Sequence, residues 1–163
     1  QRSSFFSSYD WRLIMKIVVQ LEVFDPGEEL DNFKGQLKSS GALVSFSGIV
    51  RDIPGGLARI EIEHYPIMTE KAINKICSEA CLRWELEDIM VIHRFGSLKK
   101  GELIMMVATA ANHRTDAFEA AEFLMDYLKS RAPFWKKEIG SAKASWVVSK
   151  AADEKALSRW KTS

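Results

Sequence analysis

Little in this sequence speaks for thiol or metal chemistry. It has two cysteines, Cys77 and Cys81, and three histidines in 163 residues. The cysteines lie four apart in a helical pattern, with no histidine beside them. They read as small buried hydrophobes in a reducing compartment, neither metal ligands nor nucleophiles. Charge of one sign is also missing: 23 Lys and Arg stand against 22 Asp and Glu, for a net charge of +1. No global field therefore draws the chain to nucleic acid or to a membrane surface, and anion binding must come from a local cluster of bases. No apolar run approaches the roughly 20 residues that a bilayer span requires. A phosphate loop, a dinucleotide glycine pattern, HExxH and a nucleophile elbow are all absent.

What is present is an ordinary globular balance, 47% hydrophobic and 28% charged, over a length that suits one domain. The amino end, QRSSFFSSYDWRLI, has no continuous apolar stretch and carries Asp10, so it is a poor signal or transit peptide. Strand patterning begins just after Met15. Residues 1–14 therefore read as a disordered or non-native extension, and 15–163 as the domain.

Residues 16–24 (KIVVQLEVF) pattern as a strand. Asp25-Pro26 supplies an N-cap and a proline at the first helical position, opening a short helix to about Leu37. Strands follow at 42–50 and 58–65, around the turn-forming RDIPGG. Helical spacing of Met68, Ala72, Ile73, Ile76, Ala80 and Trp84 marks a helix over 67–84. Two strands at 88–95 and 103–110 join through GSLKKGE, read as a hairpin loop. An amphipathic helix over 115–131 turns Phe118, Ala121, Leu124, Met125 and Leu128 inward and stops at Pro133. FWKKEIG reads as a short link to a last strand at 144–149, and a polar helical tail runs from about Ala152 to Trp160. The order β-α-β-β-α-β-β-α-β-α predicts an α+β fold with a mostly antiparallel sheet and packed helices. Strands 42–50 and 103–110 are apolar or small on both faces, which suggests cover on both sides, one of them from a second copy.

Basic residues gather at element ends. Arg51 closes a strand beside Gly48, His113 and Arg114 open a helix, and Lys129 lies near that helix's carboxyl end. A helix amino terminus offers free N–H groups and a positive dipole end, so His113-Arg114 there suits an anion; simple capping by His113 is the competing reading. Lys129 is also where the dipole favours lysine on structural grounds alone. Lys136 and Lys137 follow Phe134-Trp135, and aromatics beside a lysine can desolvate its amine into a useful acid–base group or merely cover its stem. His93-Arg94 reads as structural, because Phe95-Gly96 turns the chain at once. Together these residues describe a site for an anionic ligand, with no metal.

Five motifs, in order, carry a resemblance: FSGIVR (46–51), IEHYPIMTEKA (62–72), VIHRFGSLKKGE (91–102), HRTDAFEAAEFLMDYLK (113–129) and RAPFWKKE (131–138). Over about residues 16–150 the chain resembles the molybdopterin synthase large subunit. The resemblance implies a hammerhead-like α+β domain that dimerises and, as a heterotetramer, binds a small ubiquitin-like subunit at each outer end. It implies a sulfurtransferase of molybdenum cofactor biosynthesis, working in the cytoplasm with no cofactor, metal, nucleic acid or membrane. Sulfur would come from the thiocarboxylate on the small subunit's Gly-Gly terminus and pass to cyclic pyranopterin monophosphate. Lys129 and Lys136 are the catalytic candidates. Ile49, Val50, Arg51, His113, Arg114, Lys129, Lys136, Lys137 and Glu138 are the expected substrate contacts. Leu157 and Trp160 of the tail are a guess for gripping the partner. The chain ends without Gly-Gly and keeps its cysteines away from the bases, which casts it as sulfur acceptor and not carrier. Two other readings remain open: a non-catalytic module for a ubiquitin-like protein, which should lack one of the lysines, and a nucleotide- or RNA-binding domain stacking bases on Trp135 or Trp146.

Overall fold

The computed structural model describes residues 15–140, 143–148 and 151–161. The extension at 1–14 and the end of the strand expected at 144–149 lie outside the described residues.

Strands β1 (Lys16–Gln20), β2 (Ala42–Ile49), β4 (Leu86–Arg94) and β6 (Leu103–Ala111) form one sheet in the order β1-β4-β6-β2. Only β1 and β4 run parallel; the other pairings are antiparallel. Strands β3 (Leu57–His64), β5 (Gly96–Leu98), β7 (Phe134–Gly140) and β8 (Ala144–Trp146) form a second, wholly antiparallel sheet in the order β5-β3-β7-β8. Helices α1 (Pro26–Gly35), α2 (Pro66–Arg83), α3 (Arg114–Ser130) and α4 (Ala151–Ser158) complete the fold. The α+β reading therefore holds, with the strands divided between two sheets.

The first sheet is a filled layer. Along β4 and β6 the side chains alternate between two cores. Ile89, Val91, Met105 and Val107 face Ile73, Ile76 and Cys77 of α2 and Phe123, Leu124 and Leu128 of α3. Met90, Ile92, Met106, Ala108 and Ala110 face Phe33 of α1. The cover that both faces of β6 call for thus comes from the chain itself. Strand β2 differs. It is an edge strand, and its Ser45, Phe46, Ser47 and Ile49 are exposed.

Helix α3 buries Ala121, Leu124 and Leu128 on the expected face, with Met125 half-buried beside them, and departs from the expectation at Phe118. Its buried residues are Ala117, Ala120, Ala121, Phe123, Leu124 and Leu128, while Phe118 points outward. Small alanines bring α3 close to β6, and Thr109 Oγ1 donates to the Ala117 carbonyl at 2.7 Å. Phe118, one position on, has no room on that side. In α2, Met68 likewise faces out, and Thr69, buried, donates to the Pro133 carbonyl. Leu157 and Trp160 are spent internally: Leu157 is buried, and Trp160 packs edge-on against Trp84 and Phe123. They are therefore not a ready grip for a partner.

Two stretches read as connections are strands. GSLKKGE contains β5, which crosses to the second sheet to pair with β3. The crossing is made at Gly96, whose φ of +91° is open to glycine and strained for other residues. FWKKEIG is β7, paired with β3 along seven residues from Leu57↔Gly140 to His64↔Phe134. Polar lysines hid it, because β7 carries its site residues on the face that lines a cavity.

Candidate functional site

Where the two sheets meet, residues from several strands and two helices surround a cavity of about 410 Å³. Strand β2 delivers Ile49, Val50 and Arg51. Backbone bonds pin this exit: Val50 N–H donates to the Glu102 carbonyl, and Gly101 N–H donates to the Val50 carbonyl. Helix α3 delivers Lys129 from its last turn, and β7 delivers Lys136 and Glu138 from one face. Helix α4 adds Asp153, and β4 adds His93. A second cavity of about 300 Å³ shares the wall made by Ile49, His93, Lys129 and Lys136 and continues toward Phe46 and Met125.

The electrostatics of the lysines differ. Lys129 is largely exposed and lies 3.5 Å from Asp153 Oδ1. Lys136 is enclosed, and burial together with the Lys129 charge lowers the proton affinity of its amine, with Asp153 acting the other way. An amine so placed gives up its proton more easily than a free lysine. Arg51 is exposed, and among the described residues no carboxylate pairs with it, which leaves its guanidinium free for an anion. Among the described residues no three His, Cys, Asp or Glu side chains come together as a metal-ligand set.

Of the residues expected at the site, six line this one cavity: Ile49, Val50, Arg51, Lys129, Lys136 and Glu138. Lys137 does not, because strand alternation turns it to the other face, where its amine lies 5.5 Å from the Trp146 ring centre. His113 and Arg114 are exposed at the opposite end of α3. Fifteen residues separate Arg114 from Lys129 on that helix, about 22 Å at 1.5 Å per residue. His113 occupies the N-cap position but makes no side-chain capping bond.

His93 is the lining residue that sequence reasoning set aside as structural. Its ring stacks on Phe134 at 3.7 Å between centroids and 14° between planes, which ties β4 to β7. Burial, helped by the Lys136 charge, pushes its pKa down to about 3. Arg94, its neighbour, is structural as expected. Its guanidinium donates to the Leu21 carbonyl at 3.0 and 3.1 Å.

The His93 shift makes a pH prediction. In the unfolded chain the imidazole titrates near 6.5, and in the fold it stays neutral to about 3. Its stabilising contribution is complete above pH 6.5 and is lost as pH falls from there, at up to about 1.4 kcal/mol per unit. Asp88 opposes it. Burial raises that carboxyl to about 6, so acidification relieves a folded-state penalty below that pH. Asp88→Asn should therefore lose stability more steeply than the parent chain between pH 6.5 and 5. Urea midpoints at the two pH values check this: equal slopes would refute the Asp88 assignment, and a variant that loses no stability between pH 6.5 and 5 would refute the His93 one.

A family model described as MoaE protein matches residues 19–131. The chain is 58% identical over 146 residues to the molybdopterin synthase catalytic subunit of Cereibacter sphaeroides, which covers 90% of the chain and 100% of that protein. The chain belongs to the MoaE protein family. The catalytic subunit of Pseudomonas aeruginosa is 47% identical over 148 residues, 90% of this chain and 99% of that one. Among solved structures, the MoaE protein of Burkholderia ambifaria superposes with a TM-score of 0.79 at 45% identity, covering 92% of this chain and all of that one. Staphylococcus aureus molybdopterin synthase does so with a TM-score of 0.73 at 27% identity, covering 80% and 95%. These superpositions cover most of the chain.

Proposed function

We propose that this MoaE-family chain is the catalytic subunit of a molybdopterin synthase, a sulfurtransferase of molybdenum cofactor biosynthesis. Its sulfur donor is the C-terminal thiocarboxylate of a small ubiquitin-like subunit, and its acceptor is cyclic pyranopterin monophosphate. The carrying observation is the convergence of Lys129, Lys136 and Arg51, from three separate elements, on one cavity. No helix of the described residues is long and apolar enough to cross a membrane, and the reaction is assigned to the cytoplasm.

Both substrates are anions, and the pocket's bases offset their repulsion. Arg51 holds the phosphate. For each sulfur moved, a C–S bond to the pterin side chain forms as a C–O bond breaks, and water then cleaves the acyl–sulfur bond to return a plain carboxylate. Lys136, with its lowered proton affinity, protonates the departing oxygen. Lys129 stabilises the oxyanion of the acyl step. Glu138, Ile49 and Val50 shape the pterin seat. The Gly-Gly tail suits a narrow entry because glycine lacks a side chain.

The chain works as a homodimer within a heterotetramer. His113 and Arg114 stand about 22 Å along α3 from Lys129. Their contact with the pterin is therefore assigned to the neighbouring copy's pocket. Mixed dimers test this assignment. Lys129→Ala and Arg114→Ala chains, each inactive alone, should regain activity when combined, since one pocket then has both residues intact. No recovery would return Arg114 to a local role.

The whole reading is tested by mixing the purified chain with a thiocarboxylated small subunit and the cyclic pterin. Dithiolene product is expected, and none should form when the small subunit ends in an ordinary carboxylate. Arg51→Ala should weaken pterin binding at least about tenfold, the scale of one or two charged hydrogen bonds, and leave saturated turnover near normal. A titration showing unchanged affinity would make Arg51 structural.

A further inference from the structure

We propose that His93 is a positioning residue of the pocket: a neutral imidazole whose Nε2 is the acceptor that the Lys136 amine takes up when substrate fills the pocket, and that so sets where that amine points. The proposal rests on the role given to Lys136 above. It starts from the other ring nitrogen. His93 Nδ1 lies 2.7 Å from the Arg94 carbonyl oxygen. A carbonyl oxygen only accepts, so Nδ1 carries the proton and Nε2 is left with a bare lone pair.

That lone pair has no partner among the described residues. Nor is it sealed away. Among the described residues the buried side-chain nitrogen left without a bond is His64 Nδ1, not His93 Nε2. Nε2 therefore keeps some exposure, and His93 is part of the wall that the two cavities share with Lys129 and Lys136. The ring cannot turn away. The Arg94 carbonyl holds one edge, and the Phe134 stack holds the face. A ring fixed in plane and tautomer is a preset acceptor.

The groups facing this imidazole come from every neighbouring element. Lys136 lies on β7, His64 on β3, Lys129 on α3 and Asp153 on α4, with Arg51 and Glu138 on the same cavity. Lys136 is the charge that acts most strongly on His93. Asp153 is engaged with Lys129. The imidazole thus offers Lys136 a neutral acceptor that does not hold its proton as a carboxylate would. A phenylalanine would serve the stack equally well and offer no lone pair, so packing alone leaves the nitrogen unexplained.

Three substitutions separate the functions of the ring. His93→Phe keeps the stack and loses both nitrogens. His93→Asn keeps a donor for the Arg94 carbonyl and loses the Nε2 acceptor. His93→Gln places an acceptor where Nε2 stood. In the full chain assembled with thiocarboxylated small subunit and cyclic pterin, Asn and Phe should lower kcat about tenfold or more with KM little changed. The limb of the pH profile set by Lys136 should move to lower pH in both, and Gln should restore most of the rate and the limb. A folded Asn variant with the parent's profile would overturn the proposal, as would a Gln variant no better than Asn. Nitrogen NMR of the chain with cyclic pterin bound, and no small subunit present, gives a readout without turnover. His93 should hold the Nδ1–H tautomer, and its Nε2 signal should shift on Lys136→Met. An unmoved signal would also overturn it. If Lys136→Ala keeps full turnover, the pocket reading fails instead, and the NMR result still decides the contact.

Discussion

Lys129→Ala is expected to lower turnover by at least about a hundredfold while leaving the fold intact. The rate side follows from proton transfer and oxyanion stabilisation, each worth about two orders of magnitude or more when a positioned group is removed. The stability side follows from where the lysine sits. Its side chain is 58% exposed, and its ion pair with Asp153 is a surface pair at 3.5 Å. Such pairs contribute about 0–1 kcal/mol. Alanine suits a helix interior at least as well as lysine, so α3 keeps its length. Circular dichroism and a melting curve close to the parent's, together with the loss of dithiolene product, are the expected pair of results. Normal product formation would remove Lys129 from the chemistry. A collapsed melting curve would show that its role is structural.

The second large effect concerns stability. Phe123→Ala should cost about 3–5 kcal/mol, the usual range for emptying a large aromatic site in a core. Phe123 is fully buried, and several groups depend on it. Trp84 and Trp160 meet it edge-on at 5.2 and 5.5 Å, Tyr127 packs at 4.6 Å, and the Arg83 guanidinium lies 4.9 Å from its ring centre. The ring thus joins α2, α3 and the end of the chain after α4. Its loss should also loosen the contact that brings Asp153 of α4 near Lys129. Urea unfolding gives the magnitude. A loss below about 1 kcal/mol would mean the cluster collapses around the gap with little penalty.

The regular elements were legible because their patterns are strong. Asp25-Pro26 announced α1, and the Asp25 carboxylate does cap it by accepting from Gly27 and Glu28 N–H. Alternation revealed β3, and 3.6-residue spacing revealed α2 and α3. Strand β7 was illegible for a physical reason. Its Lys136 and Glu138 face a cavity and not a core, so the apolar alternation that marks a strand is broken by the site itself. Strand β5 is three residues long, too short for any period to show. Phe118 was read inward because spacing alone does not distinguish a wide apolar stripe from a narrow one packed on alanines.

The site was legible in part. Arg51, Lys129 and Lys136 stood out as bases at element ends, and they line the same cavity. His93 did not stand out. Histidine before arginine at a strand end, followed by Phe95-Gly96, carries no local mark of a ligand. Its meaning comes from Phe134, 41 positions along, and from the Arg94 carbonyl that fixes its tautomer. Lys137 looked equivalent to Lys136 in sequence, and only the strand pleat separates them.

A diffraction structure of the chain with cyclic pyranopterin monophosphate bound tests the central claim most directly. The phosphate should lie on the Arg51 guanidinium, with the pterin side chain within reach of the Lys129 and Lys136 amines. A ligand seated on any surface that leaves these three residues in contact with solvent alone would contradict the account.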